Sequence, residues 1–508
     1  MCQQKKQTLI NMIAQIISFV ISMGISFFLT PIIIKTVGKE AYGFVGLANN
    51  FVSYISIIVS ALNSMTSRYI TIHIHRNEYE EANKYFTTVL FSNVLISILL
   101  IAPITLIICR LHKIIQVPTN ISIDVKILWG LIFGNFIIDL ITSIYGSCTY
   151  VQNRLDISAK RTIESKVLKV IVLLILFSLF KPHIFYVGIA SFISCIYCAV
   201  FSMYYTTKLL PQIKIRRKYF DFYKIIELVS AGIWNSIGKI SSVLTDGLDL
   251  LIVNLFIGSA AMGSVSVAKT VPSLILSVFG MLAGVFMPQL NISYAKNDFD
   301  DMKQQVTSSI KMLGMVACIP VSCLYAYGDI FFSLWTPSED STLLHWLAIA
   351  SAAEFPFILM LEPIWNVFTV TNKIKYSTLF LIANSFAGII LTLISLRFVN
   401  DLTMKMFVVV GISSLLAIVR AWTFMPMYSA KCMRMKAVEF YKPIIKNTVA
   451  LAVVTTLSIG VRCAFEINTW LKLIFAFLIT GMIALTINCR IILTAKERML
   501  LKNKILRR

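Results

Sequence analysis

Long apolar runs with almost no charge constrain this chain more than any other feature of its sequence. The run from residue 7 to residue 34 contains no charged side chain. A helix needs about 20 mostly apolar residues to cross the hydrocarbon core of a bilayer. Soluble domains carry roughly 25% charged residues, whereas this chain of 508 residues carries 14%. The sequence therefore predicts an integral membrane protein and excludes an ordinary cytosolic enzyme.

We predict an all-α fold with fourteen membrane-spanning helices, separated by loops too short to form a sizeable soluble domain. The predicted spans cover residues 9–34, 41–67, 86–109, 125–149, 165–181, 184–207, 225–257, 262–290, 307–333, 342–370, 376–398, 404–427, 444–464 and 469–490. The seventh and tenth spans contain charged residues, so a strict hydropathy threshold would miss both spans.

The distribution of Lys and Arg predicts the orientation of the chain. The net charge is +22, from 46 Lys and Arg against 24 Asp and Glu. With the N-terminus inside, 33 of the 46 cations fall in inner segments or at the span ends beside them, and 10 fall in outer loops or at the span ends beside those. The inner count includes Lys166 and Lys169, and three cations remain within spans: Lys239, Lys269 and Arg420. Cytoplasmic loops of membrane proteins are rich in Lys and Arg. The excess charge therefore indicates topology rather than nucleic-acid binding, and both termini are expected in the cytoplasm.

The sequence also contains an internal repeat, in which two pairs of segments align at one constant offset. The segment from Val37 to Gly43 aligns with the segment from Ile257 to Gly263, and the segment from Arg76 to Glu81 aligns with the segment from Lys296 to Asp301. Six spans per copy give both copies the same orientation, which is typical of parallel-repeat transporters. We therefore predict an N-terminal lobe at 1–208, a second lobe at 209–430, and two added spans with a basic tail at 431–508.

Polar residues recur at helical spacing within several spans. Span 1 carries Asn11, Gln15, Ser18, Ser22 and Ser26, and its repeat counterpart carries Asn235, Lys239, Ser242, Asp246 and Asp249. The simplest arrangement places such faces around a central cavity between the two lobes. Close helix packing through small residues is the alternative for the Ser and Gly positions.

Charged side chains within spans are the strongest candidates for function, because an unpaired charge at mid-bilayer costs at least about 2.5–3.5 kcal/mol. Cations and amides in a cavity can hold an anionic head group such as a phosphate. This predicted binding set comprises Lys239, Lys269, Arg420, Asn235, Asn49 and Arg68. For Arg68, at the inner end of span 2, an ordinary cytoplasmic charge is the alternative.

Carboxylates in a cavity of low dielectric can take up a proton or bind Na⁺. This predicted ion-coupling set comprises Asp246, Asp249, Glu354, Glu362 and Asp139. Asp249 and Lys269 are predicted to lie at similar depth and to form an ion pair, either functional or purely structural. Glu354 and Glu362 are predicted to share one face of the tenth span, because their separation is close to two helical turns.

No motif indicates bond chemistry. The ten Cys include one C-x-x-C spacing, at Cys195 and Cys198 inside an apolar run, but no second pair that would complete a metal site. The five His show no ligand spacing, and no phosphate-binding Gly-rich loop is present. We therefore expect no enzyme activity, no metal site and no cofactor.

The chain resembles the multidrug/oligosaccharidyl-lipid/polysaccharide exporter superfamily, and within it the bacterial polysaccharide flippases of O-antigen type. The most distinctive local matches are the segment from Phe28 to Pro31, the segment from Gly38 to Gly43 and the inner loop from Arg76 to Glu81. The resemblance implies a multi-pass protein of the bacterial inner membrane. It would flip undecaprenyl-pyrophosphate-linked oligosaccharide repeat units to the outer leaflet by alternating access, with H⁺ or Na⁺ coupling.

The partners expected from this resemblance are the lipid-linked oligosaccharide, membrane lipids, and the polymerase and other polysaccharide-assembly proteins, but no nucleic acid. A MATE-like exporter of cationic drugs is the main alternative. The absence of charge between Lys6 and Lys35 argues against that alternative and against a peptidoglycan lipid II flippase. A membrane enzyme of the same pathway is a third alternative, but the chain lacks the long loop with acid or His clusters that such enzymes use.

Overall fold

The computed structural model describes residues 2–493, and all regular structure in that range is helical. Contacts divide the chain into two compact units, unit 1 (Met1–Gly263) and unit 2 (Ser264–Arg508). Unit 1 contains α1 (Cys2–Val37), α2 (Lys39–Ser64), α3 (Thr66–His75), α4 (Tyr79–Cys109), α5 (Leu111–Ile114), α6 (Ser122–Val151), α7 (Leu155–Leu179), α8 (Phe185–Leu209), α9 (Phe222–Ser242) and α10 (Asp249–Phe256).

The helix α11 (Ser259–Gly284) begins at the boundary between the units and continues into unit 2. The remaining helices are α12 (Met287–Ala295), α13 (Phe299–Trp335), α14 (Ser341–Ser351), α15 (Phe355–Leu361), α16 (Pro363–Val370), α17 (Ile374–Phe398), α18 (Leu402–Trp422), α19 (Phe424–Met433), α20 (Val438–Ala464) and α21 (Trp470–Ile491).

Each of the fourteen predicted spans overlies helix. Within residues 2–493, eleven segments are long and apolar enough to cross a membrane, and the bent pair α14 and α15 would make twelve. The fifth and seventh predicted spans are not among them. The fifth corresponds to α7, which carries Glu164, Lys166 and Lys169. The seventh is divided into α9, a π-helical turn at Val243–Gly247, and α10.

Each unit has its own apolar core. In unit 1, Tyr85 and Phe86 of α4 are buried against α3, α6 and α9, where Ile70, Ile144 and Leu228 are also buried. In unit 2, the core residues lie on α12, α13, α15, α16, α18, α19 and α20. Burial of these side chains, together with close packing of helix on helix, positions the polar groups that lie between the helices.

Four asparagines end helices in the same left-handed conformation, and they form two pairs. Asn77 (φ 61°) and Asn297 (φ 55°) are aligned by the sequence repeat, and Asn153 (φ 52°) and Asn372 (φ 54°) are related by almost the same offset. After each of them, the next backbone N–H donates to a carbonyl of the preceding helical turn, as in the Schellman motif. The N···O distances are 2.9 Å from Glu78 to His73, 3.0 Å from Asp298 to Ser293, 2.7 Å from Arg154 to Thr149 and 2.9 Å from Lys373 to Phe368.

The turns predicted at the other end of the repeated segments are also present. Gly38 separates α1 from α2 with φ 85°, and Gly258 separates α10 from α11 with φ 136°. Glycine suits both positions, because a side chain is strained at these φ values. The repeated polar segments of the sequence therefore correspond to repeated turn geometry.

Candidate functional site

A polar cavity of about 450 Å³ lies within unit 1, between α2, α6, α7 and α8. We call it the unit-1 cavity. Its polar lining comes from all four helices and consists of Asn49, Asn135, Asp139, Thr162, Ser165, Lys166, Lys169, Ser191, Ser194, Cys195 and Cys198. The apolar residues Val45, Val52, Ile132, Phe136 and Val187 complete the wall. A pocket of this size is in the range that holds small ligands, about 300–1,000 Å³.

Asp139 is the carboxylate of this cavity. The thiol of Cys195 on α8 donates to Asp139 Oδ1 across an Sγ···O distance of 3.2 Å. Lys166 on α7 lies near enough for its positive charge to act on Asp139, but the two do not form an ion pair. Asp139 is thus held by one weak donor and faces a cationic wall.

Lys166 and Lys169 are the cations of the cavity. They lie one turn apart on α7, so they share a face of that helix. Each lysine is well inside α7, at least about 15 Å along the helix axis from either end. In the part of the chain that the structure describes, neither ammonium group forms an ion pair or a hydrogen bond.

The sequence analysis counted these two lysines among the cations of an inner segment and assigned them no binding role. The structure places both in the middle of α7, facing the cavity. A signal was present, because the predicted span 165–181 already included both positions and their spacing is that of one helical turn.

The hydroxyl groups around the cavity are anchored to backbone. Ser194 Oγ of α8 donates to the Ser165 carbonyl of α7 at 2.8 Å, which links the two helices. Ser191 and Thr162 donate to carbonyls one turn earlier on their own helices. Their oxygens can still accept a hydrogen bond. Asn135 Oδ1 is buried without a hydrogen-bond partner among the described residues, so the cavity presents an acceptor that a bound donor would satisfy.

Two predicted site residues, Asn49 and Asp139, meet in the unit-1 cavity. The other predicted residues of unit 1 whose side chains the structure describes do not line it. Asn235 on α9 and Arg68 on α3 are exposed, and Lys239 near the end of α9 is half-buried. Asp249 is buried as the first residue of α10. The side chain of Asp246 lies outside the described residues.

The break between α9 and α10 has a specific set of contacts. The Gly247 carbonyl at the end of the π-helical turn accepts hydrogen bonds from Asn50 Nδ2 at 2.9 Å and from the Tyr54 hydroxyl at 2.5 Å. Both donors lie on α2. The charge of Asp249 also acts on Tyr54. The repeat counterpart of this segment is α1, which is continuous over the aligned residues.

The polar stripe of α1 is partly a packing surface. Asn11 Nδ2 donates to the Asn153 carbonyl at 2.8 Å, and Asn11 Oδ1 accepts from the Asp156 backbone N–H at 3.1 Å. Gln15 Nε2 donates to the Leu155 carbonyl at 3.3 Å. These amides fasten α1 to the start of α7. Asn11 and Gln15 thus have a packing role, and the expectation that the stripe lines a cavity between the lobes stays a prediction.

In unit 2, the tenth predicted span is not a continuous helix. Pro356 and Pro363 each lack the N–H that would continue the helix, and α14 and α15 meet at a bend of 48°. The Tyr325 hydroxyl donates to the Ala352 carbonyl at 2.8 Å, which partly replaces the lost helical bond. Glu354 and Glu362 flank α15 at its two ends. The backbone between them is helical over α15, and the expectation that they share one face of the tenth span stays a prediction.

The remaining predicted residues of unit 2 lie on different helices. Lys269 on α11 is half-buried, and Arg420 near the end of α18 is buried, with its Nε lacking a hydrogen-bond partner. The predicted pair of Asp249 and Lys269 joins residues of the two units and stays a prediction.

Unit 2 also contains a cluster that the sequence analysis missed, which we call the Asp329 cluster. Arg462 Nη2 of α20 lies 2.6 Å from Asp329 Oδ2 of α13, and Arg462 Nη1 donates to the Ala326 carbonyl at 3.1 Å. His345 of α14 is buried, with Nδ1 3.9 Å from Asp329 Oδ1 and Nε2 donating to the Leu324 carbonyl at 3.1 Å. The cluster joins three helices, and only the tertiary fold brings its members together.

No group of three or more His, Cys, Asp or Glu side chains could hold a metal ion among the residues that the structure describes. The donors of the unit-1 cavity are ammonium, amide, hydroxyl and thiol groups with one carboxylate. This set suits recognition of a polar ligand rather than coordination of a metal.

A family model described as polysaccharide biosynthesis protein matches residues 6–291. The uncharacterized membrane protein EpsK of Bacillus subtilis (strain 168) is 28% identical over 467 residues, which are 92% of this chain and 91% of that protein.

Solved structures with a similar fold include the lipid II flippase MurJ in an inward closed conformation. It has a TM-score of 0.66 at 14% identity, covering 95% of this chain and 99% of that chain. An inward-facing multidrug resistance MATE family transporter of the MOP superfamily has a TM-score of 0.64 at 14% identity, covering 84% of this chain and 99% of that chain. A MOP superfamily transporter from Pyrococcus furiosus, described as having reversed polarity of its binding pocket, has a TM-score of 0.60 at 13% identity, covering 84% and 96%. The chain thus has the fold of MOP superfamily proteins.

Proposed function

Because this chain belongs to the polysaccharide biosynthesis protein family, we propose that it is a transporter that flips undecaprenyl-pyrophosphate-linked oligosaccharides across the cytoplasmic membrane. The lipid-linked repeat units would reach the outer leaflet for assembly into surface polysaccharide. The similarity in fold to a lipid II flippase supports this substrate class. The protein carries no catalytic role in this proposal, and the polymerase acts after it.

The architecture in this proposal comprises fourteen spans, with repeat lobes at 1–208 and 209–430 and two added spans at 431–508. The paired asparagine turns, Asn77 with Asn297 and Asn153 with Asn372, support the duplication. Both termini lie in the cytoplasm in this proposal, supported by the charge distribution. The two lobes would open alternately to either side of the membrane.

The observation that carries the proposal is the unit-1 cavity. A helical bundle that served only as an anchor would gain nothing from two lysines and one aspartate in the interior of its helices, because each charge costs free energy there. Charged groups inside spans are typical of substrate or ion pathways. The cavity supplies cationic and hydrogen-bonding groups, as recognition of a phosphorylated saccharide requires.

In this proposal the cations and amides bind the substrate, and the carboxylates carry the coupling ion. Lys239, Lys269 and Arg420 would attract the pyrophosphate, with Asn49, Asn235 and Arg68 as further polar contacts. Movement of H⁺ or Na⁺ through Asp139, Asp246, Asp249, Glu354 and Glu362 would drive the return step.

A MATE-like exporter of cationic drugs is the second candidate, supported by the likeness in fold to MATE transporters. The two lysines of the unit-1 cavity argue against it, because they repel a cationic substrate.

The test is a flipping assay in proteoliposomes with a fluorescent lipid-linked oligosaccharide and a membrane-impermeant quencher. The wild-type protein should move the probe between leaflets, and Lys239→Ala should abolish that movement at normal protein levels. Lys218→Ala, at an exposed lysine, is the matched control. Undiminished flipping by Lys239→Ala would exclude the assigned role of that cation, and transport of a cationic dye without flipping would favour the exporter.

A further inference from the structure

We propose that the unit-1 cavity is a binding site for a phosphate-type oxyanion, held by Lys166 and Lys169. The proposal deepens the proposed function and rests on it in two respects: the passage of α7 through the membrane and the lipid-borne source of the phosphate. The sequence analysis placed the phosphate on three other cations, so this site is an additional one.

The first argument is charge. Two ammonium groups face a cavity that contains one carboxylate, so its charged lining carries a net positive charge of one. Neither lysine is ion-paired within the described residues. In the proposed architecture α7 is the fifth span, and an ammonium in the interior of a membrane helix is costly unless a counter-charge or water compensates it. An oxyanion supplies that counter-charge, whereas a metal cation would add to the imbalance.

The second argument is geometry. Lys166 and Lys169 are one turn apart on the same helix and can both reach one small anion. Each ammonium group offers three N–H donors. Asn135 Oδ1, buried and unpartnered, can accept from a protonated phosphate oxygen or from a sugar hydroxyl next to it. Lysine is a common phosphate ligand, acting as a point charge.

The third argument concerns Asp139. Its carboxylate lies in the same cavity, receives a hydrogen bond from Cys195 and lies within the field of Lys166. Asp139 therefore balances part of the charge of the two lysines without forming an ion pair with them. A bound oxyanion would compete with Asp139 for that charge. Neutralising Asp139 should therefore strengthen oxyanion binding.

The experiment measures binding of inorganic pyrophosphate to the full-length protein purified in detergent, by isothermal titration calorimetry. The double variant Lys166→Gln with Lys169→Gln should bind about 10- to 100-fold more weakly than wild type, the range that loss of a charge-assisted hydrogen bond corresponds to. Lys160→Gln is the matched control, because Lys160 is exposed on the same helix and does not line the cavity. Size-exclusion chromatography verifies that every variant is folded and monodisperse.

A second variant keeps the proposal testable if the double variant fails to fold. Asp139→Asn should bind pyrophosphate more tightly than wild type, by about 3- to 10-fold. Equal affinity of the double variant and wild type would overturn the proposal, and so would weaker binding by Asp139→Asn.

Further titrations distinguish the two sources of phosphate. Tighter binding of farnesyl pyrophosphate than of inorganic pyrophosphate, with no binding of farnesol, would assign the site to a lipid head group. Equal affinity for the two pyrophosphates would assign it to a free anion. Pyrophosphate binding by a protein that fails to flip in proteoliposomes would contradict the proposed function alone, and flipping without binding would contradict this inference alone.

Discussion

The unit-1 cavity and the Asp329 cluster place similar charged groups in opposite situations. In the Asp329 cluster, the arginine and the aspartate pair at 2.6 Å, and the neighbouring histidine is bonded to backbone. In the unit-1 cavity, Asp139 is bonded to a thiol and the two lysines form no ion pair within the described residues. The ion pair of the Asp329 cluster links two helices of the protein. The lysines of the unit-1 cavity, which have no ion-pair partner within the described residues, are available to a ligand.

Among the changes that test this comparison, removal of the two lysines of the unit-1 cavity should have the largest effect. Lys166→Gln combined with Lys169→Gln should lower the flipping rate in proteoliposomes by about 10- to 100-fold, because the lost ammonium groups carry the attraction for an anion. The unfolding temperature should not fall, since two uncompensated charges are removed. Lys160→Gln should keep the wild-type rate. A double variant with a normal flipping rate and a lower unfolding temperature would show that the two lysines stabilise the fold rather than bind a ligand.

Gly328→Ala tests the packing around His345 of the Asp329 cluster. A Cβ at Gly328 would lie 2.4 Å from His345 Cδ2, and this buried ring is held by its bond to Leu324. We expect a loss of about 1–3 kcal/mol in the free energy of unfolding, measured by thermal unfolding in detergent. Flipping per folded molecule should be unchanged. Gly411→Ala, where a Cβ would have open space, is the control.

Arg462→Ala should have a somewhat smaller effect on stability. Removal of the guanidinium leaves the carboxylate of Asp329 without its partner, but Arg462 is 37% exposed, so water replaces part of the interaction. A loss of about 1–2 kcal/mol is expected, again from thermal unfolding. Adding Asp329→Asn should recover part of it. If the double variant is no more stable than Arg462→Ala, the ion pair does not fasten α13 to α20.

The smallest expected effect is that of Cys195→Ala. It removes the thiol that donates to Asp139, and a thiol is a weak donor, so stability should change by less than about 1 kcal/mol. Pyrophosphate affinity should change by less than about threefold. A tenfold change would mean that the thiol, rather than the lysines, controls the cavity.

Much of the fold could be predicted from sequence, because apolar runs and turn residues are local signals. All fourteen predicted spans overlie helix, and the repeated segments end in matching turns at Gly38, Gly258, Asn77 and Asn297. The interruptions of the tenth span also had a local signal in Pro356 and Pro363. They were missed because the apolar run continues across both prolines.

The candidate site was less predictable, because it depends on which helices meet. Asn49 and Asp139 were chosen as isolated polar residues, and their common cavity follows from the packing of α2 on α6. Lys166 was counted as a charge of an inner segment, and no local pattern indicates that it lines a cavity together with Asp139. Asn11 forms hydrogen bonds with the start of α7, a partner far away in sequence that no periodicity identifies.

The length of α13 has a consequence for the surrounding membrane. Its 37 residues form one helix, about 55 Å long at 1.5 Å per residue, whereas the hydrocarbon core is about 30 Å thick. The surplus extends beyond the core or is taken up as tilt. Because α20 and α21 pack along α13 through Ser322, Tyr327 and Cys318, a change in tilt would involve all three helices together. We therefore expect the acyl-chain length of the surrounding lipids to affect the tilt of α13 and, through α13, the positions of α20 and α21 in unit 2.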